Sequence, residues 1–281
     1  MGNCENMCVD QKHKLMAEME KENSMEEINK HRFKNIVKDK SEILSSKTLE
    51  QSPSHQSKSP KQKKTAGKIQ NFENGCIYEG DWHEEYKRHG HGTYTWQDGS
   101  VYVGEWKNNV ACGFGKLIHA DGDLYEGQWE DDKANGYGEY TQKNGIVYKG
   151  TWKNDKQCGR GVETWGESAK YEGDYLEGKK HGFGVLMFND GSTYEGEFKH
   201  NLINGKGFYK WTNGKSYEGE WVDNKMHGKG TMKWANGKIY EGEFDNDNRT
   251  GKGKLTDING KVVAGVFKDG KLVEGEELSN P

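Results

Sequence analysis

The stretch Tyr217-Glu218-Gly219-Glu220-Trp221 returns along the chain with few changes. Its tyrosine position falls at Tyr78, Tyr102, Tyr125, Tyr148, Tyr171, Tyr194, Tyr217 and Tyr240. The first interval is 24 residues and the six that follow are 23. A worn ninth copy, Val263-Ala264-Gly265-Val266-Phe267, begins after another 23. A fixed period of roughly 20–50 residues marks a repeat array. Each copy places an aromatic, a glycine and a second aromatic at i, i+2 and i+4, which is one face of an extended strand. These signature residues are Tyr78, Gly80 and Trp82; Tyr102, Gly104 and Trp106; Tyr125, Gly127 and Trp129; Tyr148, Gly150 and Trp152; Tyr171 and Gly173; Tyr194, Gly196 and Phe198; Tyr217, Gly219 and Trp221; and Tyr240, Gly242 and Phe244.

The second half of each copy alternates in the same way, as in Gly92-Tyr94-Trp96 and Gly230-Met232-Trp234. Period 2 in both halves is a strand signal. Asp98-Gly99, Asp121-Gly122, Asn144-Gly145, Asp190-Gly191, Asn213-Gly214, Asn236-Gly237 and Asn259-Gly260 each precede a new tyrosine strand. Such pairs favour two-residue hairpin turns with positive φ at both central positions. The expected fold is therefore all-β: an elongated, twisted, single-layer antiparallel sheet of stacked hairpins. Two strands per copy at about 4.8 Å give roughly 77 Å for eight copies. In one layer, the signature glycines leave room for rings of a neighbouring strand to lie over bare backbone. The opposite face carries a glutamate column (Glu172, Glu195, Glu197, Glu218, Glu220, Glu241, Glu243), expected to pair with Thr or Lys across strands.

Two copies depart from the pattern. The first has an extra residue near His83-Glu84-Glu85-Tyr86, so its loop should bulge. The fourth has Glu167-Ser168 in place of Asn/Asp-Gly, after Trp165-Gly166, which predicts a different turn.

Composition agrees with a thin structure. Only 31% of the residues are hydrophobic, below the usual globular share, while the aromatic share of 11% is too high for disorder. The five cysteines (Cys4, Cys8, Cys76, Cys112, Cys158) show no disulfide pattern, and no apolar run is long enough to span a membrane.

Residues 1–70 carry 14 Lys/Arg against 10 Asp/Glu, leaving the remainder with a balance of −8. An acidic body of that kind is a poor binder of nucleic acid. The expected division is a tail over 1–70 and a repeat region over 71–275. The tail opens Met1-Gly2-Asn3-Cys4: removal of Met1 exposes Gly2 for myristoylation, and Cys4 stands ready for palmitoylation. Two lipids are needed for stable anchoring, because one myristoyl chain holds only marginally. Between these ends lie a weakly helical stretch, about 10–50, and a Ser/Pro/Lys-rich linker over 51–68 with five lysines and no acid.

The recurring Tyr-Glu-Gly-x-Trp, followed some ten residues later by Gly-x-Gly, resembles the MORN repeat (membrane occupation and recognition nexus), in eight copies. The resemblance implies an extended antiparallel sheet of hairpins. It also implies roles like those of scaffolds in cilia, flagella and the cell cortex, or of accessory segments of lipid kinases.

No chemistry stands out beside it. The Gly-x-Gly pairs precede strands, where phosphate loops precede helices. His89, His181 and His227 share one loop column with Cys112, Asn135, Cys158, Asn204 and Thr250, which reads as drift within the column and not as a metal site. Trp165 beside Glu163 reads as sheet surface. No catalytic, cofactor-binding or metal residue is assigned. The expected function is a non-catalytic scaffold held to a membrane by its acylated N-terminus, cytoplasmic, and bound to ciliary or cortical cytoskeletal proteins. Exposed aromatic and glycine-rich face residues would form its docking surface, and a homodimer is compatible with it. The alternative is phosphoinositide recognition by the repeats, with Lys107, Lys153, Lys179, Lys180, Lys199 and Lys225 gathered on one edge.

Overall fold

Alternating side chains and paired glycines leave these segments one way to satisfy their backbone: strand against strand. In the computed structural model, which describes residues 65–278, nineteen strands form one antiparallel sheet, and no helix occurs among the described residues. The chain divides into two compact units, one of residues up to 145 with 149–156, the other of 146–148 with 157 onward. The expected lipidation sites Gly2 and Cys4 and the helical stretch expected in the tail lie outside the described residues.

The first unit contains β1 (Thr65–Asn71), β2 (Ile77–Trp82), β3 (Arg88–Thr95), β4 (Val101–Lys107), β5 (Val110–Ile118), β6 (Leu124–Glu130) and β7 (Lys133–Thr141). Here each strand pairs with its successor. β8 (Ile146–Lys153) spans the division. The second unit holds β9 (Lys156–Trp165; its first residue lies in the first unit), β10 (Ala169–Leu176), β11 (Lys179–Phe188), β12 (Thr193–Lys199), β13 (Leu202–Lys210), β14 (Ser216–Val222), β15 (Lys225–Lys233), β16 (Ile239–Asp245), β17 (Asn248–Thr256), β18 (Val262–Lys268) and β19 (Lys271–Leu278). It is the same meander, β9 through β19.

The turns correct the sequence reading. At Asp98-Gly99 only the glycine is left-handed (φ 91°), and the Gly99 N–H donates to Trp96 O at 3.0 Å. The loop is three residues long, a turn followed by a glycine bulge. The two-residue turns with both centres left-handed lie inside the copies: Asn108-Asn109, Asp131-Asp132, Asn154-Asp155, Glu177-Gly178, His200-Asn201, Asp223-Asn224, Asn246-Asp247 and Asp269-Gly270. As expected, the first copy has a longer loop, with Tyr86 left-handed and its N–H donating to His83 O at 3.0 Å. In the fourth copy the positive φ moves to Gly166, and Ser168 N–H donates to Trp165 O at 2.8 Å.

Where the second residue of an inner turn is Asn or Asp, its side chain also holds the hairpin before it. Asp155 Oδ1 accepts from the Ala134 N–H at 2.8 Å, while the Asp155 N–H donates to Ala134 O at 3.0 Å. Asn109, Asp132, Asn201, Asn224 and Asp247 make the same side-chain bond. At Asp155, burial pushes the carboxyl from 3.8 up to about 6, against the opposing pull of that hydrogen bond and Lys133. A raised acid favours folding while protonated, and that contribution is lost as pH rises through about 6. Asp155→Asn keeps the acceptor and removes the charge. It is expected to add roughly 1–2 kcal/mol of stability at pH 8, a gain that shrinks toward pH 4. Urea midpoints across that range measure it, and a loss at pH 8 would contradict the assignment.

Candidate binding surface

The eight signature tyrosines are 0–2 % exposed, although the sheet has no second layer over them. Their burial comes from glycine. Glycines of paired strands face each other directly, as in Gly104↔Gly115 and Gly219↔Gly230. A Cβ on Gly115 would stand 2.3 Å from Tyr102 Oη, and one on Gly104 would stand 2.5 Å from it. Each ring therefore lies across its own strand's glycine and the opposed one. The expected cover by a ring from a neighbouring strand is thus half of the arrangement: one tyrosine roofs both backbones.

The rings lock edge to face. In the first unit Tyr102 meets Trp106 at 5.1 Å and Trp129 at 5.0 Å, and Tyr125 meets Trp129 at 5.2 Å and Trp152 at 5.3 Å. In the second, Tyr194 meets Phe198 and Trp221, and Tyr217 meets Trp221 and Phe244. Such contacts contribute about 0.5–1.5 kcal/mol each beyond burial. The polar tips of these rings have partners: Tyr125 Oη donates to Gln128 O at 2.9 Å, and Trp129 Nε1 donates to Gly115 O at 3.1 Å.

The Gly-x-Gly pairs acquire a different role. The first glycine is left-handed, as at Gly113 (φ 63°), and marks a bulge where the register slips. The residue three after the tyrosine caps that bulge, with Glu105 Oε1 accepting from the Phe114 N–H at 2.9 Å. Asp174 and Glu197 act alike on Phe183 and Lys206. Burial raises the Tyr102, Tyr125, Tyr194 and Tyr217 hydroxyls well above the usual tyrosine range, so they remain neutral donors.

The signature face is therefore core, which corrects its expected use as the docking surface. The exposed apolar side chains stand on the other face. In the first unit these include Val103, Phe114, Ile118 and Tyr137, with Phe114 and Tyr137 55% and 62% exposed. A shallow cleft of about 430 Å³ runs beside them, lined by His91, Thr93, Val103, Phe114, Lys116 and Glu126. In the second unit Phe208 stands between Glu195 and Glu218, and Phe183 opposes Glu197. The glutamates thus oppose aromatic and aliphatic residues as well as Thr and Lys; salt bridges form at Lys116–Glu126 (3.1 Å) and Lys254–Glu241 (3.3 Å).

Two further readings change. Glu163 and Trp165 are buried, not surface. Lys180, expected among the edge lysines, is 3% exposed, with Nζ 2.6 Å from Glu163 Oε2. Sequence alone hid this pair because its members lie on different strands, 17 residues apart. Among the described residues no group of three or more side chains is placed to hold a metal ion.

The MORN repeat model matches residues 78–101, 102–124, 125–147, 148–168, 171–193, 194–216, 217–239 and 240–262. The chain belongs to the MORN-repeat family. As a MORN protein it is of the repeat-scaffold type. No curated protein matches the chain. Among solved structures it is similar to the TCP10 domain of Danio rerio CPAP, with 12% identity and a TM-score of 0.40 over 75% of this chain and 100% of that one. It is also similar to the G-box domain of the microcephaly protein CPAP, with 9% identity and a TM-score of 0.41 over 68% and 100%. Likenesses of this size transfer no function to the MORN chain.

Proposed function

We propose that this MORN protein is a non-catalytic scaffold whose exposed face binds partner proteins of a ciliary, flagellar or cortical cytoskeletal assembly, while an acylated Gly2 and Cys4 tether it to a membrane. One observation carries the reading: the recurring signature is spent on the core, and the opposite face presents Val103, Phe114, Ile118 and Tyr137 to solvent. Exposed apolar clusters of this sort mark interaction sites. In the second unit, where glutamates border Phe183 and Phe208, the partner segment that fits is apolar and basic. The tether is read from the Met1-Gly2-Asn3-Cys4 opening of the tail.

In-cell crosslinking with mass spectrometry tests both halves. Phe114→Glu with Tyr137→Glu should abolish most partner crosslinks while thermal stability changes little, since both rings are exposed. Gly2→Ala should keep those crosslinks and release the protein from membranes in flotation. Crosslinks unchanged in the double variant would overturn the surface, and flotation unchanged in Gly2→Ala would overturn the tether.

A further inference from the structure

Three columns of the repeat change together at one place. The column of Tyr94, Leu117, Tyr140, Leu186, Tyr209 and Met232 holds Glu163. The column of Ala111, Ala134, Ile203 and Met226, polar also at Arg88, Gln157 and Arg249, holds Lys180, and the column otherwise filled by Trp or Phe holds Tyr175. The three lie on β9, β11 and β10, and they meet. Glu163 Oε2 accepts from Lys180 Nζ at 2.6 Å and from Tyr175 Oη at 2.9 Å. The Lys180 ammonium stands 4.5 Å over the Trp165 ring and 5.4 Å over that of Tyr171. Glu163 and Lys180 are 8% and 3% exposed.

The geometry points to a register lock: the Glu163–Tyr175–Lys180 cluster makes β9 and the β10–β11 hairpin recognise each other and reject the following repeats, whose residues at the Lys180 position are Ile203 and Met226. The need for such a device follows from the sequence. Hairpins this alike can dock on the wrong neighbour, in the same chain or another, with almost the same glycine and ring contacts. If β9 meets β12 instead of β10, Glu163 faces Phe198 and Ile203, and a buried carboxylate is left without a donor. Lys180 is likewise left as an unpaired buried cation. Removing one member of a buried pair is strongly unfavourable, whereas replacing the whole pair by apolar residues is often neutral or stabilising. The cluster is thus better suited to choosing a partner strand than to adding stability.

The test uses the full chain. Glu163→Leu, Tyr175→Trp and Lys180→Ile together restore what neighbouring repeats carry. This triple variant should match or exceed the parent in urea midpoint. A Val162→Cys/Glu195→Cys pair, opposed only if β9 meets β12, reports misregister when oxidised after refolding and mapped by peptide mass spectrometry. The triple background should raise that crosslink several-fold over the parent, together with the fraction of oligomers on size exclusion. Glu163→Leu alone should instead lower the urea midpoint. The lock is overturned if the triple variant refolds with the parent's crosslink level and elution profile, or if Glu163→Leu alone is neutral.

Discussion

Replacing Gly219 by alanine is expected to lower stability by about 3 kcal/mol, a large cost for one methyl group. The added Cβ would lie 2.5 Å from Tyr217 Oη, 2.6 Å from Gly230 Cα and 2.7 Å from Lys229 O. Two of those neighbours are backbone of the paired strand, which cannot retreat without breaking its ladder to β16. Relief by expelling the tyrosine instead would forfeit its hydrogen bond to Glu220 O and its contacts with Trp221 and Phe244. Gly219 has no positive φ, so the whole cost is collision. Gly237→Ala is the control: φ is 90° and nothing lies within 4 Å, so only left-handed strain of about 1–2 kcal/mol is incurred. Equal urea midpoints for the two variants would refute the account of the paired glycines.

Tyr125→Ala is expected to be costlier still, about 4 kcal/mol, in the range of large aromatic truncations. The ring is fully buried between Trp129 and Trp152 and roofs Gly127 and Gly138. Its removal opens a cavity and bares two strands of backbone at once. Tyr125→Phe keeps the ring and loses only the bond to Gln128 O, so about 1 kcal/mol is expected. Denaturant titration of both variants separates roof from tether. If phenylalanine cost as much as alanine, the hydroxyl rather than the ring would be holding the strands.

Much of this architecture is legible in the sequence. The 23-residue period, the i, i+2, i+4 aromatics and the alternating second half specify strands, their faces and their order, because those depend on neighbours in sequence. The long loop at Tyr86 and the altered turn at Gly166 were visible for the same reason. The inner turns were not. Asn108-Asn109 and His200-Asn201 lack the glycine that marks a left-handed pair, and their side chains are needed for bonds to Arg88 and Lys180, both 21 residues back. The bulge cap at Glu105 was equally hidden, since a carboxylate on the solvent side of a strand reads as an ordinary surface charge.

By itself, then, the sequence determined an all-β array of MORN hairpins and which residues share a face. Only the tertiary structure decided which face is core. A single-layer sheet offers two faces with apolar side chains on each, and periodicity cannot rank them. The difference is made by glycines brought opposite one another across strands, where the absence of two Cβ atoms lets a tyrosine lie flat enough to be sealed from water.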